Sequence, residues 1–181
     1  MLFPLLDKVA IESGLASTER AGDQLLIHHS RNTEQKQWSE TQVLTISGVA
    51  RVFVTKRSLL HTLGDFPKAW RLLLEHIEKL ALSATQEVSL AALKAFHEMV
   101  VSGEEKSEER AAEEGRWVGA WRGWLAIGQQ ATRPNLNEDS SPSQAFLTSL
   151  CHIFPLLFPH VRSTFSTADL SSLSQVLHLI S

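Results

Sequence analysis

Eight histidines and one cysteine are the side chains of this 181-residue chain best suited to metal binding or nucleophilic chemistry. Their spacing supports neither. His28 and His29 are adjacent and point apart in most backbones. His61, His76, His97, His152, His160 and His178 are scattered, with no HExxH pair and no Cys/His spacing of a zinc site. Cys151 stands beside His152, but neighbours in sequence do not form a thiol–imidazole dyad by adjacency, and the surrounding residues are apolar. There is no GxSxG elbow, no phosphate-cradling glycine loop and no GxGxxG. These residues predict no catalytic group, no metal site and no cofactor.

What remains is chemistry of contact. Arg51, Lys56, Arg57, Lys68 and Arg71 cluster in sequence around one helix junction. They are the candidate partner-binding residues, for an acidic protein surface or acidic headgroups; otherwise they keep that surface solvated. Trp117, Trp121 and Trp124 recur at i, i+4 and i+7. Such a stripe packs between helices or forms a peptide-binding or membrane-dipping face, and packing is the expectation. The net charge of −3 is spread along the chain, which points to neither nucleic acid nor an anionic membrane as a partner. A lone cysteine forms no internal disulfide and fits a reducing compartment. No apolar run reaches membrane-spanning length, and the start, MLFPLLDKVA, lacks a basic signal-peptide region.

The elements that must position these residues read as helices. In EVSLAALKAFHEM (87–99), Val88, Ala92, Ala95, Phe96 and Met99 make one apolar stripe, and Leu90, Leu93 and Val100 or Val101 a second. A helix apolar on two sides is sandwiched between neighbours. Leu90, Ala92 and Leu93 are therefore all expected to be buried. Asp65 is placed to cap a helix over 65–82, with Pro67 in its first turn. Phe66, Trp70, Leu73, Leu74, Ile77 and Ala81 form its apolar face, and Glu75 precedes Lys79 by four. Only Ser83 to Thr85 separate these two helices, which makes them antiparallel neighbours.

Elsewhere the signals are mixed. TQVLTISGVARVFVT (41–55) reads as a hairpin about Ser47-Gly48 or as a helix with Val43, Ile46, Ala50, Phe53 and Val54 on one face. The surrounding helices favour the helix, with Gly48 at a close helix crossing. Residues 13–39 read as a long polar loop. Leu125 and Gly128 continue the tryptophan face. Phe146, Leu147, Leu150, Ile153, Phe154 and Leu157 form another apolar run, in which Pro155 is expected to kink or end the helix near 152–154. Ser166 with Asp169 looks like a capping box, ahead of Leu170, Leu173, Val176, Leu177 and Ile180. The predicted organisation is a short apolar piece and polar loop (1–38), a helical repeat unit (39–102), an acidic connector (103–115) and a second helical region (116–181). The connector carries six Glu against one Lys and one Arg; it is a solvated link or attracts a basic partner. The chain opens on an isolated apolar piece and closes in mid-pattern at QVLHLIS, as a fragment of a longer protein would. The fold expected is an all-α, right-handed solenoid segment of HEAT or armadillo type, with about three helix pairs.

The blocks LIHHSRNTEQKQWSETQVLTISGVARVF (26–53), LGDFPKAWRLLLEHIEKLALSATQEVSLAALKAFHEMV (63–100), AWRGWLAIG (120–128) and PSQAFLTSLCHIFPLLFPHVRSTFSTADLSSL (142–173) together resemble the later part of the monensin-sensitivity (Mon-two) family. Those proteins are large cytosolic scaffolds related to the big Arf exchange factors but lacking the catalytic Sec-seven domain. The resemblance implies a helical-repeat fold and no enzymatic activity. It also implies peripheral association with Golgi and endosomal membranes, and endosome-to-Golgi protein recycling with a Dopey-family partner and links to Arf-type GTPases and a phospholipid flippase. It brings no catalytic residues, and the acidic stretch 103–115 lies outside its blocks. The alternatives are an autonomous helical bundle that binds a peptide, or a regulatory segment of an active exchange factor.

Overall fold

The computed structural model describes residues 28–102, 110–132 and 142–180. Among them are six α-helices and no strand: α1 His28–His61, α2 Phe66–Ala81, α3 Gln86–Val101, α4 Arg110–Ala131, α5 Gln144–Val161 and α6 Thr167–Ile180. They form two layers. Helices α1, α3 and α5 lie side by side in one, and α4 packs between α2 and α6 in the other. Between layers, α2 rests on α3 and α4 on α5, with a lighter contact of α1 on α2. A stack of helix pairs requires this pattern, in which each helix touches the next but one in its own layer and a chain neighbour in the other. The all-α expectation holds, and the arrangement is that of an α-solenoid segment.

Helix α3 is the middle of the stack, flanked by α1 and α5 and backed by α2. Val88, Ala92, Leu93, Phe96 and Met99 are fully buried, and Ala95 and Val100 nearly so. Leu90 departs from expectation: it is only half-buried, because it lies at the edge of the buried arc, next to exposed Lys94 and Val101. Each large apolar side chain here contributes roughly 1.5–3 kcal/mol. The expected face of α2 is buried in full. Asp65 stands at its N-cap but makes no side-chain capping bond, and Glu75 pairs with Arg71 at 3.8 Å.

Helix α1 bears out the helical reading of 41–55 and corrects three other expectations. It includes 28–38, assigned above to a loop. That stretch is polar, but Glu34, Gln35, Lys36 and Gln37 have good helix propensity. Ile46, Val49, Ala50 and Phe53 form its buried face, while Val54 is exposed. Gly48 sits at no crossing: nothing approaches the position of a Cβ there within 4 Å. The helix breaks at Lys56 (φ −111°, ψ 16°). Just before the break, the Thr55 hydroxyl donates to the Arg51 carbonyl at 2.7 Å, a back-bond of the kind that bends helices.

Helix α4 begins at Arg110, inside the stretch assigned to a connector; residues 103–109 lie outside the described residues, as does the apolar piece at the N-terminus. Helix α5 runs through both Pro155 and Pro159, so it does not end near 152–154. Both prolines are exposed, and the opposite face (Phe146, Leu150, Ile153, Leu157, Val161) anchors the helix in the core. Unbroken, α5 is long and apolar enough to cross a membrane by length and composition, contrary to the reading of the apolar runs. In this fold its Leu150, Ile153 and Leu157 are instead fully buried in the protein core.

Helix α6 starts with the expected reciprocal cap. The Ser166 N–H donates to Asp169 Oδ2 at 2.9 Å and the Asp169 N–H to Ser166 Oγ at 3.2 Å. Asp169 Oδ1 also accepts from Trp121 Nε1 at 2.9 Å, tying α6 to α4. The bonds from Ser166 and then Trp121 hold its carboxyl below the usual aspartate range. A depressed folded-state pKa stabilises at neutral pH and loses its effect as pH falls through that pKa.

The close crossing lies at Gly128, where an added Cβ would come within 2.7 Å of Val176 Cγ1 and 3.6 Å of Leu150 Cδ2. The two glycines therefore respond oppositely to alanine. Gly48→Ala removes only a helix penalty and stabilises by up to about 1 kcal/mol. Gly128→Ala drives a methyl into Val176 and destabilises by roughly 1–3 kcal/mol. Urea unfolding of both variants checks this; equal midpoints would contradict it.

Candidate functional site

The polar and aromatic groups converge at the end of the stack where α1 finishes, α2 begins, and α4 and α5 pass. Phe53, Arg57, His61, Phe66, Trp70, Arg116 and Trp117 line a shallow notch there. Its floor is a ladder of rings. Phe53 stacks on Phe66 with centroids 6.1 Å apart and tilts onto Trp70 at 5.2 Å, and Trp70 meets Trp117 edge-on at 6.4 Å. Imidazoles extend the ladder: His61 lies 4.6 Å from Phe66, and His160 stacks on Trp117 at 4.0 Å.

Two guanidiniums cover these rings. Arg57 sits 5.8 Å from Phe53 and 5.7 Å from Trp117, and Arg116 5.5 Å from Phe66. Each such contact contributes roughly 0.5–1 kcal/mol. Arg57 also donates through Nη1 to Ser102 Oγ at 3.0 Å and to the Met99 carbonyl at 3.4 Å, closing the C-terminus of α3. Trp70 Nε1 donates to the Arg116 carbonyl at 3.1 Å. The notch thus gathers cationic and ring donors with no nucleophile beside them. Its chemistry is contact with an anionic or aromatic group.

Of the five residues singled out in sequence, only Arg57 reaches this notch. Arg51, Lys56, Lys68 and Arg71 are exposed, and Arg71 pairs with Glu75 along the outer face of α2. The structure does not bring the five together. Arg116, His61 and His160 were missed. They come from three different helices, and only their fit to aromatic neighbours at helical spacing could have signalled them. The tryptophan stripe packs between helices, as expected. Trp124 is fully buried, donates to the Leu150 carbonyl at 2.8 Å and stacks on Trp121 at 5.3 Å. Cys151 is half-buried, and burial raises its thiol pKa, away from the reactive thiolate. Among the described residues no group of three or more His, Cys, Asp or Glu is placed to hold a metal ion.

Comparison with known proteins decides the family. The family described as the C-terminal region of Mon2 protein matches residues 1–115 and 104–180. The chain belongs to the Mon2 family. Its relatives include Protein MON2 homolog of Drosophila melanogaster, 46% identical over 98% of this chain. The human Protein MON2 homolog is 38% identical over 98% of it, and Monensin-resistant homolog 2 of Caenorhabditis elegans 31% over 94%. The chain spans 12–14% of the length of these Mon2 relatives. No solved structure matches it. The two matched stretches overlap within 104–115, the acidic stretch that the resemblance blocks had left unplaced.

The notch separates surface charge from structural charge. Arg51→Glu with Lys56→Glu changes two exposed side chains and shifts stability by no more than about 0.5 kcal/mol each. Arg57→Glu removes the contacts to Phe53, Trp117, Ser102 and Met99 and sets a carboxylate over the rings, at a cost of roughly 2 kcal/mol or more. Thermal unfolding of the double and single variants distinguishes them; equal losses would show that Arg57 is only another solvated charge.

Proposed function

We propose that this segment is a non-enzymatic scaffold in vesicle-mediated protein trafficking between endosomes and the Golgi, acting by protein–protein binding. The observation that carries the reading is membership of the Mon2 family by a stack of helix pairs. Stacked pairs present extended faces to partners and need no enclosed pocket. The notch supports the same reading, since its arginines and histidines are suited to an acidic group on a partner. Within the whole protein the segment works in the cytoplasm, peripheral on Golgi and endosomal membranes. Its partners are a Dopey-family protein and Arf-type GTPases. It binds no nucleic acid, and its link to the membrane is indirect.

Nucleotide exchange on an Arf-type GTPase requires groups held rigidly against the bound Mg²⁺ and phosphates. The purified segment is therefore expected to leave the rate of GDP release from Arf-type GTPases unchanged. Extended with the neighbouring part of its own protein, it is expected to retain a Dopey-family protein from cytosol. Stimulated GDP release would overturn the non-enzymatic reading. Failure of the extended protein to retain any trafficking component would overturn the scaffold.

A further inference from the structure

Helix α6 is held mainly by α4. On another side it carries Leu170, 59% exposed, and Leu177, 41% exposed. They are two helical turns apart, about 10 Å along the axis, and so share one stripe. Ser174 is exposed between them, and Leu173 and His178 border them. These five residues line an open groove of about 460 Å³. A groove that runs along one helix and stays open to solvent does not enclose a small ligand; its shape and apolar lining suit a second helix.

The order of the residues points to which helix. From either end the stripe reads polar group, leucine, a Leu173-Ser174 centre, leucine, polar group. We infer that α6 is a contact between two copies of this chain, lying antiparallel about a two-fold axis between residues 173 and 174. A two-fold contact must be self-complementary, each residue meeting its counterpart on the other copy. That axis sets Leu170 against Leu177 of the second copy and the edge of Leu173 against the small Ser174. It also sets Asp169 against His178, where an imidazole N–H can donate to the carboxylate. Asp169 is already fixed by its bonds to Ser166 and Trp121, so the pairing orders no further carboxylate. The antiparallel arrangement places the positive end of each helix dipole beside the negative end of the other. Two exposed leucines from each copy offset the cost of association by a small margin, so the dimer is weak, with a dissociation constant on the order of 100 μM. Such a dimer doubles every other face of the stack, and a partner with two sites gains avidity from it.

The test is cross-linking and sedimentation of the whole chain. Cys151→Ala removes the one native thiol. In that background Ser174→Cys, beside the axis, is expected to form an interchain disulfide when an oxidant is added. Gln175→Cys, exposed on a different side of α6, is not. In sedimentation equilibrium the parent is expected to associate, and Leu170→Glu with Leu177→Glu to lose at least about tenfold in affinity. Both leucines are exposed, and thermal unfolding checks that this variant is folded. His178→Glu, which would meet Asp169 with like charge, is expected to weaken association several-fold, and His178→Lys to preserve it. A parent that stays monomeric up to millimolar concentration would overturn the proposal. So would equal cross-linking at positions 174 and 175, or association undiminished in the folded double variant. In the protein extended with its neighbouring part, a Ser174→Cys thiol that neither cross-links nor reacts with a maleimide would overturn it too, since the protein's own chain would then fill the groove.

Discussion

The burial of α3 on both flanks is the constraint on which the rest of the structure depends. A helix with one apolar stripe can end a fold; one with two needs a neighbour on each side. Ala92 and Ala95, both without appreciable exposure, let those neighbours come close, and Phe96 and Leu93 fill what remains. Once α1 and α5 are set against α3, the short link at 82–85 turns α2 back onto it. Helix α4 then lies against α2 and α5 with its tryptophans inward. The second layer is thus a consequence of the first.

The aromatic residues join the layers at two places. At one end Phe53, Phe66, Trp70 and Trp117 form the ladder under Arg57 and Arg116. One turn further along α4, Trp121 packs with Phe154 and Phe165 and Trp124 with Phe154, at 5.2–5.9 Å. Each Trp indole of these helices that reaches a partner bonds a carbonyl or carboxylate of another helix: Trp70 to α4, Trp121 to Asp169 and Trp124 to α5. A buried indole N–H left unmade would be costly, so these bonds fix how the helices sit as well as how tightly. The polar chemistry of the molecule is largely spent on holding helices together, and what faces outward is suited to contact.

Much of this was legible in the sequence wherever periodicity was strong. The face of α2, the first stripe of α3 with Leu93 and Val100 of the second, the inward tryptophans and the Ser166–Asp169 cap all follow from spacing and residue type. The failures have physical causes. Residues 28–38 carry helix propensity without an apolar stripe, and a pattern-based reading has nothing to grip there. Gly48 and Gly128 are indistinguishable by type; which one meets a neighbour depends on the packing of α6 on α4. Whether a helix continues through Pro155 depends on what its other face packs on, and Leu150, Ile153 and Leu157 hold α5 in the core across it. The notch was nearly invisible, since Arg57, His61, Arg116 and His160 are brought together by the stack and Lys68 and Arg71 are carried away by it.

Native-state hydrogen exchange measures the central claim directly, because amides in a helix held from both sides open only when the whole stack does. The backbone amides of Leu93, Phe96 and Met99 in α3 should exchange with the free energy of global unfolding. Those of α6, packed on α4 alone among the helices it touches substantially, should open at lower free energy. Exchange of the α3 amides through a smaller opening, at or below the free energy seen for α6, would contradict the view that the fold is organised around α3.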